Sequence, residues 1–286
     1  MNFEAIIASS FDGLTLGIIY GLAAMGLTLI FGVMRVINLA HGPVIMLGMY
    51  TVYVLVSQLG MNPYLAIVFS IFLGLLLGIG MYFVAVHKVI NAPELTTLLA
   101  TFSVNLMIVG AATVIFTTTP HAVDVQLPSY RAGSITILGT RVVAVLIALV
   151  VTTALYYFLY RTRTGKSIRA VANNRSAAEL MGIHTSAILG LSFGLGTMLA
   201  AISGGLLSTL FAFSVLSGGV YETKSFVIVV LGGLGNPSGA LFGGIVLGLL
   251  EGITTIFMPV AWVPIIEYVI FVIILLVRPN GLFGAR

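Results

Sequence analysis

Long apolar stretches, separated by short polar or glycine- and proline-containing segments, run along nearly the whole chain. They cover approximately residues 14–34, 44–56, 64–86, 97–116, 142–160, 187–213, 240–257 and 265–277. The longer stretches approach the roughly 20 residues that a straight helix needs to cross a bilayer. The pattern predicts an all-α polytopic membrane protein with eight full or partial spans, and a single transmembrane domain over residues 1–286.

A further apolar stretch, residues 223–234, is too short to span and predicts a half-length or broken helix. Glycine and proline also interrupt residues 38–43 and 232–239, one break in each half of the chain. Such breaks beside apolar helices are typical of irregular backbone that lines a pathway or forms a hinge, although an ordinary loop is the alternative. The residues predicted to shape a pathway or gate are Asn38, His41, Gly42, Pro43, Asn105, Gly235 and Asn236. For Asn105, near the centre of a span, interhelical hydrogen bonding is the alternative role.

Two polar segments predict the loops. Residues 117–141 alternate polar and β-branched positions around glycine, which favours an external hairpin. Residues 161–186 hold five of the twelve Lys and Arg residues and are too basic to cross a bilayer. Most of the remaining basic residues follow the ends of spans on the same predicted side, so the positive-inside rule places the 161–186 loop and Arg286 in the cytoplasm and Met1 outside.

Within this cytoplasmic loop, the sequence SAAE at 176–179 matches a capping box and predicts a short helix, which Gly182 ends. Ala177, Leu180 and Met181 give the helix an apolar face, which favours docking into a groove of a partner. A helix lying in the lipid headgroups is the alternative. The predicted docking residues are Ser176, Ala177, Ala178, Glu179, Leu180, Met181 and Gly182.

Composition excludes several classes of protein. Hydrophobic residues make up 59% of the chain and charged residues 7%, with a mean hydropathy of +1.18, so a soluble fold is excluded. The net charge of +4 comes from loops, which argues for a membrane rather than nucleic acid as partner. There is no cysteine and the four histidines are scattered, so we expect no metal site and no catalytic site.

The sequence GKS at 165–167 resembles part of a phosphate-binding loop, but Tyr160 stands where its first glycine is required. We therefore expect no nucleotide and no cofactor on this chain. Glu251 and Glu267 are expected near outer helix ends, within reach of water or headgroups, with proton coupling as the alternative. Glycines four residues apart, such as Gly13 and Gly17, predict close helix packing within one subunit or against a second, similar subunit.

Four sequence strings carry a family resemblance. They are RVINLAHG at 35–42, RTRTGKSIRAVANNRSAAELMGI at 161–183, VVLGGLGNPSGALFGG at 229–244 and RPNGLFG at 278–284. In this order and spacing they resemble the LivH-type permease subunits of bacterial branched-chain amino acid ABC importers. The loop also resembles the ATPase-docking loop of importer permeases, but here reads Ala177-Ala178-Glu179 where many members have Glu-Ala-Ala.

The resemblance implies a multi-pass permease of the bacterial inner membrane. Its implied partners are a LivM-type permease that completes a heterodimer, two cytoplasmic ATPase subunits that bind ATP and Mg, and a periplasmic or lipid-tethered binding protein. The implied cargo is a branched-chain, hydrophobic amino acid. Uptake of urea, amides or other amino acids by a related importer remains open, as does an ion-coupled secondary transporter or, more distantly, a membrane enzyme.

Overall fold

The computed structural model describes residues 3–125, 127–132, 135–278 and 281–282. These residues form eleven α-helices and one two-stranded antiparallel sheet. In chain order they are α1 (Phe3–Met34), α2 (His41–Leu59), α3 (Pro63–Met81), α4 (Glu94–Phe116), β1 (Ser129–Ala132), β2 (Ile135–Leu138), α5 (Gly139–Arg161), α6 (Arg163–Asn173), α7 (Arg175–Leu180), α8 (Thr185–Ser208), α9 (Ser217–Gly232), α10 (Pro237–Phe257) and α11 (Val263–Val277). A π-helical turn, Tyr82–Val86, extends α3, and a short 3-10 turn, Val260–Trp262, precedes α11.

Eight helical segments in the described part of the chain are long and apolar enough to cross a membrane. They are Ile6–Met34, His41–Leu59, Pro63–Val86, Glu94–Phe116, Gly139–Arg161, Thr185–Ser208, Pro237–Phe257 and Val260–Val277. This confirms the predicted all-α polytopic membrane fold. The orientation of the termini stays a prediction; Met1 and Arg286 lie outside the described residues, as do most positions of the RPNGLFG string.

The predicted half-length helix exists as α9, which has 16 residues and starts at Ser217 rather than at residue 223. The extra turns, SGGVYE, contain two glycines and a charge and therefore do not look helical in the sequence. They are helical because tertiary packing outweighs local propensity: a methyl group added to Gly218 would lie 2.9 Å from the carbonyl oxygen of Gly42.

Glycine contacts hold the centre of the bundle together. Helices α1 and α10 pack along their length, with Gly13 against Gly248 and Gly17 against Gly244, so close that a methyl group on either side would overlap backbone atoms of the other helix. Helix α8 packs in the same way against α1, α2 and α3, and most of its residues are buried. The glycine spacing thus serves packing within one subunit, as the first alternative predicts.

The outer helices α4, α5 and α11 expose most of their apolar surface, as expected of faces that meet lipid. The predicted hairpin is also present: β1 and β2 pair with Tyr130 opposite Ile137. The basic segment 161–186 is more ordered than a loop, since α6 and α7 fill most of it.

Candidate functional site

The predicted docking helix is present as α7, but its cap differs from the prediction. The Oδ1 atom of Asn174 accepts a hydrogen bond of 3.0 Å from the backbone N–H of Ala177. Asn174 has an extended backbone, as an N-cap requires, whereas Ser176 already lies in the first turn of the helix and is exposed. The capping box assigned to residues 176–179 is therefore wrong, and Asn174 starts the helix.

Glu179 ties α7 to the next helix instead of closing a capping box. Its Oε1 atom accepts hydrogen bonds from the Thr185 hydroxyl at 2.6 Å and from Nε of Arg175 at 3.3 Å. The hydrogen bond from Thr185, followed by that from Arg175, lowers the pKa of Glu179. Because Thr185 is the first residue of α8, the carboxylate bridges the two helices.

Gly182 ends α7, as predicted. Its φ is +79°, and its N–H donates to the carbonyl oxygen of Glu179 at 2.9 Å, while the N–H of Ile183 donates to that of Ala178 at 3.1 Å. This pair of bonds is a Schellman motif, in which the left-handed position suits glycine. Helix α7 therefore has a defined beginning and a defined end.

The far end of α7 presents two long apolar side chains to the outside. Leu180 is 89% exposed and Met181 is 82% exposed, whereas Ala178 is 4% exposed and packs against the body of the protein. Ala177 is also exposed. The predicted apolar face is thus confirmed for its two large members, and Ala178 belongs to the packed side.

Single residues join α7 to the helices before it. Asn174 ends α6 and begins α7, and Thr162 ends α5 and begins α6, where its hydroxyl accepts from the N–H of Gly165 at 3.0 Å. Arg175 also donates to Oδ1 of Asn91, ahead of α4, at 3.2 Å. The exposed knob of Leu180 and Met181 is therefore held by short connections to several helices.

A cavity of about 1150 Å³ lies between α1, α4 and α9. Its apolar lining includes Leu27, Phe31, Leu98, Phe226, Val229 and Val230. Ala172 and Asn173 of α6 also line it, so one end lies on the side of the basic segment. Among the predicted pathway residues, Gly235 lines this cavity. Asn236 lies beside it and caps α10, its Oδ1 atom accepting from the N–H of Gly239 at 3.1 Å.

Asn38 and His41 are fully buried and do not line the cavity. The Oδ1 atom of Asn38 accepts from the N–H of Ala40 at 3.1 Å, and Nε2 of His41 lies 2.9 Å from the carbonyl oxygen of Ala23. Gly42 and Pro43 are buried in the first turn of α2. These residues hold the break between α1 and α2 in place, and a gating role for them stays a prediction.

Asn105 joins this break to α9. Its Nδ2 atom donates to the carbonyl oxygen of Leu39 at 2.5 Å and to Oε2 of Glu222 at 3.3 Å. Glu222 was not among the predicted site residues, because it lies in the polar start of α9 that the sequence does not mark as helix. One signal could have revealed Glu222: it lies four residues before Phe226, so in a helix the two side chains share a face, and Phe226 lines the cavity.

The prediction that both carboxylates reach water or headgroups is wrong for Glu267, whereas the side chain of Glu251 is 19% exposed. Each accepts a hydrogen bond of 2.7 Å from Nζ of Lys224, which is itself 8% exposed, and Glu267 is 6% exposed. Lys224 also lies over the ring of Tyr20, at 4.9 Å from its centroid. The correction has a physical reason: charges inside a bundle pair with one another, and the sequence does not show that α9, α10 and α11 meet here.

Eight helices of spanning length, with a cavity between α1, α4 and α9 and a capped helix outside the bundle, indicate a multi-pass membrane transport protein. Residues 9–277 match the family described as branched-chain amino acid transport system / permease component. The chain belongs to this family.

Several relatives match over most of their length. The chain is 28% identical to the high-affinity branched-chain amino acid transport system permease protein LivH of Salmonella typhimurium strain LT2, over 99% of this chain and 97% of that protein. It is 26% identical to the corresponding permease BraD of Pseudomonas aeruginosa, over 96% and 94%. It is 29% identical to a probable LivH of Methanocaldococcus jannaschii, over 92% and 88%. No solved structure matches the chain.

Proposed function

We propose that this permease carries branched-chain amino acids across the inner membrane as one subunit of an ATP-driven importer. Two observations support the cargo. The full-length relatives above bear the name of branched-chain amino acid permeases, and the cavity between α1, α4 and α9 has a largely apolar lining that suits an aliphatic side chain.

The proposal includes the other components of such a system. ATP and Mg bind to two separate cytoplasmic ATPase subunits, a LivM-type permease completes a heterodimer, and a periplasmic or lipid-tethered binding protein delivers the amino acid. This chain binds no nucleotide in this scheme. Energy therefore reaches it through contact with the ATPases.

The exposed pair Leu180 and Met181 carries the proposal. Burying each of these side chains in a groove contributes about 1.5–3 kcal/mol, whereas leaving them in water contributes almost nothing. The cap at Asn174 and the Schellman motif at Gly182 fix the short helix, so little conformational entropy is lost when it docks. A fixed, projecting apolar knob supports the docking of a partner protein.

The test places a charge in the proposed groove. Leu180→Asp should leave the permease inserted but abolish co-purification of the ATPases or substrate-stimulated ATP hydrolysis, because a buried, unpaired carboxylate is costly. Leu180→Met keeps an apolar side chain of similar volume and serves as the matched control, with near-normal coupling. If the Leu180→Asp protein retains its ATPases and its full stimulated hydrolysis, α7 does not dock in a groove.

A further inference from the structure

Glu222 differs from the other carboxylates inside the bundle. Glu251 and Glu267 share Lys224. Among the residues that the structure describes, no basic side chain forms an ion pair with Glu222. Its Oε2 atom accepts instead from the neutral amide of Asn105 at 3.3 Å. The partly buried carboxylate therefore keeps acceptor capacity for a cation.

The neighbouring helix leaves room for this carboxylate. A methyl group added to Gly42 of α2 would lie 2.5 Å from Cβ of Glu222 and 2.8 Å from its Oε2 atom. Any residue larger than glycine at position 42 would therefore displace Glu222. The break that was predicted to shape a pathway thus packs directly against the carboxylate.

Helical periodicity connects Glu222 to the cavity. Glu222 lies one turn before Phe226 on α9, and Val229 and Val230 follow a turn later; all three of these residues line the cavity. On α4, Asn105 lies about two turns beyond Leu98, which also lines it. On both helices, residues spaced one turn apart connect the cavity lining with Glu222 and Asn105. Neither Glu222 nor Asn105 is among the residues that line the cavity; the pair lies one to two helical turns beyond the lining, on the side remote from α6.

The chemistry of this end matches one part of the proposed cargo. An amino acid presents an ammonium group with three donors beside an aliphatic side chain, and a carboxylate is the strongest protein acceptor for such a group. Glu222 supplies that carboxylate, and the Oδ1 atom of Asn105 adds a neutral acceptor. The apolar lining below them receives the side chain.

We propose that Glu222 and Asn105 form a subsite that binds the ammonium group of the transported amino acid at the end of the cavity remote from α6. The inference rests on the proposed function, since it takes an amino acid as the cargo. Glu222 binds the cation through its charge, and Asn105 positions the carboxylate while joining it to the break at Leu39.

The competing explanation is a purely structural hydrogen bond between α4 and α9. Glu222→Gln separates the two explanations, because a glutamine oxygen still accepts from Asn105 but carries no charge. Loss of a charge-assisted hydrogen bond corresponds to about a tenfold weaker binding of the amino acid or more. A structural role predicts no such loss.

The test measures occupancy of the cavity in the assembled importer. The chain contains no cysteine, so Phe226→Cys places a single thiol of this subunit in the cavity lining. Leucine should slow alkylation of this thiol, and in the Glu222→Gln background about tenfold more leucine should be needed for the same protection. Glu251→Gln, which neutralises a carboxylate that does not line the cavity, is the control and should leave protection unchanged. Val230→Cys replaces Phe226→Cys if that variant does not insert.

A second probe tests the ammonium group itself. The hydroxy acid that corresponds to leucine has the same aliphatic side chain but no ammonium group, so it should protect equally and weakly with and without Glu222→Gln. Equal protection by leucine in both backgrounds, or none in either while the unmodified importer takes up leucine, overturns the subsite alone. If the unmodified importer takes up no branched-chain amino acid, the proposed function fails and the subsite with it.

Discussion

Nζ of Lys224 on α9 lies 2.7 Å from Oε1 of Glu267 on α11. The buried residues of α11 are Val263 and Glu267, so this ion pair is a main contact between the helix and the bundle. The half-length helix α9 thereby helps to fix the position of the outer helix α11.

Removing the cation should destabilise this region. Lys224→Met leaves two carboxylates without their partner, and breaking a buried ion pair on one side costs about 3–5 kcal/mol. We expect a lower midpoint for thermal unfolding of the purified protein in detergent. The double variant Glu251→Gln with Glu267→Gln in the Lys224→Met background should recover much of the loss; if the single variant unfolds like the wild type, the ion pairs contribute little.

The corrected cap of α7 gives a paired prediction. Asn174→Ala removes the side chain that accepts from Ala177, which should cost about 1 kcal/mol of local helix stability, and Ser176→Ala should cost almost nothing because Ser176 does not cap the helix. Hydrogen exchange at the α7 amides is the measurement, with substrate-stimulated ATP hydrolysis as a second one. A larger effect from Ser176→Ala would restore the capping box.

The close glycine contact between α1 and α10 predicts that the stability lost in a glycine-to-alanine substitution depends strongly on which glycine is replaced. Gly248→Ala would force a methyl group against the backbone of Gly13 and Gly17, and overpacking of this kind costs about 1–3 kcal/mol. Gly80→Ala is the matched control, since no atom lies within 4 Å of the added methyl group. Unfolding midpoints of the two variants should differ clearly; equal midpoints would mean that the two helices separate easily.

The topology is tested with single cysteines, which the chain lacks naturally. Ala172→Cys lies on the basic segment and should react with an impermeant reagent only after the cells are opened, because basic segments remain in the cytoplasm. Ser10→Cys, near the other end of the first span, should react in intact cells. The reverse pattern would invert the proposed orientation and remove α7 from the reach of cytoplasmic ATPases.

The energy source separates the proposed importer from an ion-coupled carrier. Uptake by cells should stop when ATP is depleted and should survive collapse of the proton or sodium gradient while ATP is maintained. The purified chain should bind no ATP, since Tyr160 replaces the first glycine of a phosphate-binding loop. Uptake that follows the ion gradient instead would favour a secondary transporter.

The sequence was most informative where a single local rule decides the structure. Apolar stretches of spanning length predicted the eight spans, and Gly182 predicted the end of α7, because length and a left-handed position are local properties. The capping-box pattern that begins at Ser176 predicts the wrong cap, because Asn174, two residues earlier, is an equally good cap and has the extended backbone.

Features that depend on contacts between distant helices were beyond the sequence. Glu251 and Glu267 look like residues at helix ends until α9 brings Lys224 between them. Glu222 lies in a stretch whose glycines argue against a helix, and only the structure reveals its packing against Gly42 and its hydrogen bond with Asn105. These pairings join residues that lie 27 and 43 positions apart around Lys224 and 117 positions apart for Asn105 and Glu222, and no local pattern encodes them.

Thr162 and Asn174 each serve as the end of one helix and the start of the next. Helices α5, α6 and α7 therefore follow one another with a single residue between them, so the segment contains no long linker that could absorb a movement of one helix. In the proposed importer, a force applied at Leu180 would be passed to α6 through Asn174 and to α8 through the hydrogen bond between Glu179 and Thr185. Inserting a few glycines beside Thr162 or Asn174 should therefore weaken the coupling between α7 and the transmembrane helices, while each helix stays folded.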